Sequence, residues 1–188
     1  VNVAVKSANT ITANTPAGVV GTASVVVTSP GGSNADNALF TYAAIPSITS
    51  ITPSRGPIAG GTSVTIAGIA LSGATKVTIG GAVATNVVVN SAASITATTP
   101  AGTAGAASVL VTTPGGTNDA NTLYTYVAVP TVTSVSPSSG PVGGGTSVTI
   151  TGTAFTGDAT VTIGGATATN VKVASDTSIT ATTPAGTA

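Results

Sequence analysis

The sequence predicts an all-β protein built from tandem sandwich units. Three observations point there: a gapless internal repeat, short alternating runs of β-branched residues between turn signals, and very few charged side chains. The repeat is the strongest signal. Pro16, Pro100 and Pro184 recur at one interval, since 100 − 16 = 84 and 184 − 100 = 84. The same offset relates Pro46 to Pro130, Pro53 to Pro137, Pro57 to Pro141, Gly80 to Gly164 and Tyr42 to Tyr126. Sliding residues 1–104 over 85–188 needs no gap and leaves about two-thirds of positions identical, as expected of duplicated structural units.

Within one complete copy the runs read as seven strands. Ser47–Ile51 alternates and stops at Pro53, and Ser63–Ile66 alternates and stops at Gly68. Lys76–Ile79 ends at Gly80-Gly81, and Thr85–Val89, Ser94–Thr98, Ala107–Thr112 and Thr122–Val127 complete the set. Period-two alternation with regular turn signals is the pattern of a sandwich, and no segment sustains a helical period. Thr99-Pro100-Ala101-Gly102 suits a turn with Pro in second place, and Thr113-Pro114-Gly115-Gly116 suits a type II turn. The inward set is expected to be Val64, Ile66, Val77, Ile79, Val87, Val89, Ile95, Val109 and Val111, filling the space between two sheets.

Composition excludes several functions. Four Lys+Arg balance four Asp, leaving a formal net charge of zero and 4% charged residues, against about 25% in ordinary soluble domains. Lys6, Arg55, Lys76 and Lys172 are scattered, so no basic patch exists for nucleic acid. Zero net charge also removes repulsion between copies, which favours association. Without cysteine there is no disulfide framework or thiolate metal site. Mean hydropathy is +0.53, yet Thr, Ser, Gly and Asn interrupt every apolar run before it reaches the roughly 18 residues of a membrane span, so no membrane insertion is expected in this segment.

The residues Ile45-Pro46-Ser47-Ile48-Thr49-Ser50-Ile51-Thr52-Pro53, Gly56-Pro57, Gly60 to Ile66, Gly68, Val77 to Gly81 and Leu123 to Tyr126 together resemble the IPT/TIG family of immunoglobulin-like domains. Pro130 to Pro137, Gly140-Pro141, Gly143 to Ile150, Gly152 and Val161 to Gly165 repeat them. The resemblance implies a seven-stranded immunoglobulin-like β-sandwich for each repeat, a domain used in bacterial surface proteins, receptor ectodomains, some starch-active enzymes and Rel-type transcription factors; with the short joint between units, tandem sandwiches in a rod-like array are expected. It also implies boundaries: 1–45 as the C-terminal half of one repeat, 46–129 as a complete repeat and 130–188 as the N-terminal part of a third. The sequence is expected to be a window onto a longer array, or else its partial units complete one another between chains by strand exchange. Between units, Tyr126-Val127-Ala128-Val129-Pro130-Thr131-Val132 leaves almost no linker, and Pro130 fixes one φ, so stiff end-to-end stacking is expected.

Chemistry has little to work with. Without His, Cys or Glu there is no nucleophile–base arrangement and no zinc site of usual ligands, so no enzyme, catalytic residue, metal or cofactor is expected. Asp36, Asp119, Asp158 and Asp176 fall at unmatched phases; their counterparts are Ala120, Ala35, Ala74 and Ala92. The polar loops Asn34–Asp36–Asn37 and Asn118–Asp119–Asn121 hold one carboxylate each, thin for calcium, and read as Asx turns before the last strand. Gly60-Gly61 and Gly143-Gly144-Gly145 lead into strands and read as tight bends, not phosphate cradles. Lys76 has Thr160 as its counterpart and Lys172 has Val88, which rules out a repeated isopeptide crosslink. Asn2, Asn86 and Asn170 share one phase and read as turn caps or cross-sheet donors. No Asn-X-Ser/Thr sequon occurs, and the dense Thr and Ser leave O-glycans open. Tyr124 and Tyr126, with Phe40 and Tyr42, are expected in the core or against the next unit.

Two functions from different classes fit. The first is the structural repeat of an extracellular fibre, sheath or adhesin stalk of a prokaryote, whose partners are other copies of itself. The second is a carbohydrate- or receptor-binding module of a surface adhesin or polysaccharide-active enzyme, which predicts an exposed aromatic or Asn/Asp cluster at one repeated place.

Overall fold

The computed structural model describes residues 2–157 and 159–186, and no helix occurs among them. The first strands are β1 (Val3–Ser7), β2 (Thr10–Ala13), β3 (Gly21–Ala23), β4 (Thr28–Ser29), β5 (Gly32–Ser33) and β6 (Phe40–Tyr42), which pair antiparallel as β1–β2, β3–β6 and β4–β5. The central group is β7 (Ser47–Thr52), β8 (Arg55–Pro57), β9 (Ser63–Ile69), β10 (Lys76–Ile79), β11 (Ala82–Val83), β12 (Thr85–Ser91), β13 (Ser94–Thr98), β14 (Gly105–Ala107), β15 (Val109–Thr113), β16 (Gly116–Thr117) and β17 (Tyr124–Val127). The last is β18 (Thr131–Ser136), β19 (Ser147–Thr153), β20 (Thr162–Ile163), β21 (Ala166–Thr167), β22 (Thr169–Ser175) and β23 (Ser178–Thr182).

The central group forms two layers. One is the sheet β12-β13-β9-β7; the other is made of β11-β10-β15-β16 and β14-β17-β8, in which β8 runs parallel to β17. Alternation along β9 buries Val64 and Ile66 and turns Ser63 and Thr65 outward. Pairing sets Ile95 beside Ile66 and Ala97 beside Val64, and Val77, Ile79, Val109 and Val111 face them from the second layer in one core. This is an immunoglobulin-like sandwich. Residues 130–186 repeat the first layer as β18-β19-β23-β22, with Ile150 opposite Ile179 in the same register.

Glycines recur where backbones crowd or bend. A Cβ on Gly68 would strike the Ser47 carbonyl, and one on Gly152 the Thr131 carbonyl, beside the register shift between β7 and β9 and its equivalent. Gly60 and Gly61 have φ of +73° and +82°, and Gly144 and Gly145 of +76° and +82°, so these are bends into β9 and β19.

Several expectations need correction. Val87 and Val89 are each 37% exposed, not core residues. Asn86 adopts φ +50°, which bulges β12 between Thr85 and Val88 and breaks the alternation, and the core closes beneath β13. Leu71 joins the core without having been foreseen, and Tyr124 and Tyr126 lie in it as expected. Ala107–Thr112 is two strands: β14 pairs with β17, and after Ser108 β15 pairs with β10. Residues 99–102 form no β-turn, because the Gly102 amide donates instead to the Ile58 carbonyl at 2.8 Å. In the 113–116 turn the positive φ, +125°, belongs to Gly116, while Gly115 stays small because a Cβ there would strike the Ala44 backbone.

Candidate functional site

The scattered acids stay scattered. Asp36, Asp119 and Asp176 are exposed, Asp158 lies outside the described residues, and no cluster of three metal-ligating side chains forms among those described. Lys76 sits on β10 opposite Thr112, and Lys172 on the edge strand β22.

The asparagine loops act as a surrogate strand. On the side of β15 away from β10, the Val111 amide donates to Asn118 Oδ1 at 2.6 Å and the Val109 amide to Asn121 Oδ1 at 3.0 Å. The Nδ2 groups of Asn118 and Asn121 return bonds to the Val109 carbonyl at 3.0 and 2.8 Å. Asn34 and Asn37 repeat this on Val25 and Val27, where the Val27 amide donates to Asn34 Oδ1 at 2.6 Å and the Val25 amide to Asn37 Oδ1 at 2.9 Å. These amides finish a strand's hydrogen bonding and have little left for a ligand. Asn86 and Asn170 donate across their sheets to the Thr98 and Thr182 hydroxyls at 3.2 and 3.3 Å.

The aromatic pair offers no platform. Tyr124 and Tyr126 are buried, with rings edge to face at a centroid distance of 5.0 Å. Tyr126 donates its hydroxyl to the Pro100 carbonyl at 2.7 Å, as Tyr42 does to Pro16 at 2.8 Å. Burial, then the neighbouring Tyr124, raises the Tyr126 pKa above its ordinary value. The Tyr124 hydroxyl has no partner and lies where a Cβ on Gly56 would be.

Concavities are shallow. Depressions of about 290, 250 and 230 Å³ lie beside Pro137–Val142, between Val127–Pro130 and Phe155, and beside Ile45–Ile48, all below the roughly 300–1,000 Å³ of small-molecule sites.

What repeats on the surface is hydroxyls. Ser63 and Thr65 of β9 face outward next to Thr98 and Thr96 of β13, with Ser94 completing the row on β13. Ser147, Thr149, Ser178, Thr180 and Thr182 repeat that array with identical residues on β19 and β23. Sequence alternation predicted the polar faces but not their register, which long-range pairing sets.

These features define a class: tandem immunoglobulin-like sandwiches with hydroxyl-lined outer sheets, uncharged in the central unit and flanked by Lys172 beside Thr180 in the next. The chain belongs to the IPT/TIG domain family, whose model matches residues 46–126 and 130–188. No curated protein matches it. Similar solved structures include the plexin A4 extracellular region, at 28% identity and TM-score 0.42, covering 77% of this chain and 16% of that one. A Bacteroides uniformis protein, SGBP-B, from a complex xyloglucan utilization locus is 21% identical at TM-score 0.37, covering 76% and 43%. A Bacteroides ovatus SGBP-B in complex with a mixed-linkage heptasaccharide is 23% identical at TM-score 0.35, covering 70% and 37%. The chain thus spans less than half of each of these, and at such scores they assign no ligand to it.

Proposed function

We propose that the chain is part of a secreted or cell-surface repeat protein whose units perform no chemistry and serve as binding modules for a neutral carbohydrate or a receptor. One observation carries this reading: the duplicated outward array of Ser63, Thr65, Ser94, Thr96 and Thr98. In the central unit, where Val88 rather than a lysine flanks Thr96, this surface offers donors and acceptors at strand spacing without charge, which suits a partner of hydroxyl groups better than phosphate or a basic peptide. A shallow, flat site implies modest affinity per unit, raised by repetition along the chain. Titration of the chain with neutral polysaccharides, beside a variant carrying Thr65→Val and Thr96→Val, tests it. Binding to the parent and at least a tenfold loss in the variant are expected; a parent that binds no glycan at millimolar sugar and no receptor ectodomain sinks the reading.

A second reading is favoured by the seat between units. Gly115 lies against the Ala44 backbone and Gly116 approaches the Ile45 side chain, so consecutive units abut without slack. That contact suits a load-bearing, self-associating fibre, sheath or stalk. Electron microscopy at rising concentration distinguishes filaments from single short rods.

A further inference from the structure

We infer that β12 of the central unit pairs, antiparallel, with β12 of a second copy of this chain about a twofold axis through Val88. The strand is an edge, with β13 as its one partner in the sheet, and all seven of its residues are exposed. Its centre presents Val87, Val88 and Val89, the middle one 55% exposed. A row of apolar side chains beside unpaired backbone groups is a template for another strand.

Two features select a second copy as the occupant. Asn86-Val87-Val88-Val89-Asn90 reads the same in both directions. A twofold interface requires that if one residue meets another, the second meets the first, and this sequence satisfies that with Val88 opposite itself, Val87 opposite Val89 and Asn86 opposite Asn90. The second feature is charge. The equivalent edge strands each carry a lysine, Lys6 in β1 and Lys172 in β22, where β12 has Asn90 and Val88. Lysine on an edge opposes strand addition, because pairing like strands would bring the charges together. The central unit lacks that guard and the chain has no net charge to hold copies apart. Asn86, at φ +50°, ends the flat stretch, so the pairing spans three residues on each chain and is weak in a single contact.

The inference deepens the self-association reading by naming its surface. Sedimentation equilibrium on the parent, from micromolar to about millimolar chain, where so small a contact is read, should show the mass rising from 17.4 kDa toward twice that value. Val88→Lys, which copies the lysine of β22, should stay at 17.4 kDa with an unchanged melting temperature. Single cysteines in this cysteine-free chain then fix the register, because opposed Cα atoms about 4.5–5.5 Å apart lie within disulfide reach. Val88→Cys should form a covalent dimer under a mild oxidant. Val87→Cys and Val89→Cys should crosslink when mixed and much less when alone. A parent that stays monomeric overturns both the inference and the self-association reading. A parent that associates equally well as Val88→Lys, or crosslinks equally at all three positions, overturns the inference alone.

Discussion

Asn118 shows how much a single side chain can hold without being a ligand. Its amide satisfies the Val111 N–H and shares the Val109 carbonyl with Asn121 inside a 7% exposed site, so Asn118→Ala leaves the buried Val111 N–H unpaired. Each such orphan costs about 1–3 kcal/mol, and a thermal melt should fall by several degrees. Asp119→Ala, one residue on and exposed, should change stability by less than about 0.5 kcal/mol, with or without calcium. Equal losses in the two variants would refute the strand-surrogate role. Tyr126 gives a pH-dependent counterpart. Its folded pKa is raised above 10.0, so folding favours the neutral phenol. The stability it contributes is complete below the unfolded pKa and disappears as pH rises through the folded one. The melting temperature of the parent should therefore drop above about pH 10, and Tyr126→Phe should fall less steeply there. At neutral pH the same variant should lose about 1 kcal/mol, the worth of the bond to Pro100.

At the scale of the element, β9 and β12 mark what the sequence could and could not reveal. Alternation in Ser63-Val64-Thr65-Ile66 reports burial directly, because β9 lies between two partners under a covering layer and its pleat is undisturbed. The Val-rich run of β12 reads as strand too but lies on an edge with a bulge, and neither property is written in its hydrophobicity. Leu71 escaped for the opposite reason. It is a fully buried loop residue, placed by Ala70 at φ +57° and by its own amide donating to the Ala92 carbonyl at 2.9 Å, with no period to announce it. The surrogate strand was hidden too, since Asn in a loop suggests a turn until tertiary pairing shows which backbone it reaches. Denaturant titration separates the two strands: Ile66→Ala should cost about 2–5 kcal/mol through its cavity, and Val87→Ala less than about 1 kcal/mol. A large loss from Val87→Ala would put β12 back in the core.

For the whole molecule, the decisive feature is the seat between consecutive units rather than any pocket. At Gly115 the 113–116 turn meets Ala43 and Ala44 so closely that a Cβ would overlap backbone, which cannot retreat as a flexible side chain can. Contact of this kind fixes the angle between neighbours, whereas a linker of several free residues would let it wander. Gly115→Val should break the seat while sparing the core, because residue 115 belongs to no buried cluster. Spin labels on cysteines introduced at Thr10 and Ser91, both exposed, report the outcome as a distance distribution. The parent should give one narrow peak, and Gly115→Val a broad one, with the melting temperature lowered by no more than a few degrees. A broad distribution in the parent would mean that the units move independently, and the load-bearing reading would lose its physical basis while the hydroxyl face of each sandwich could still bind.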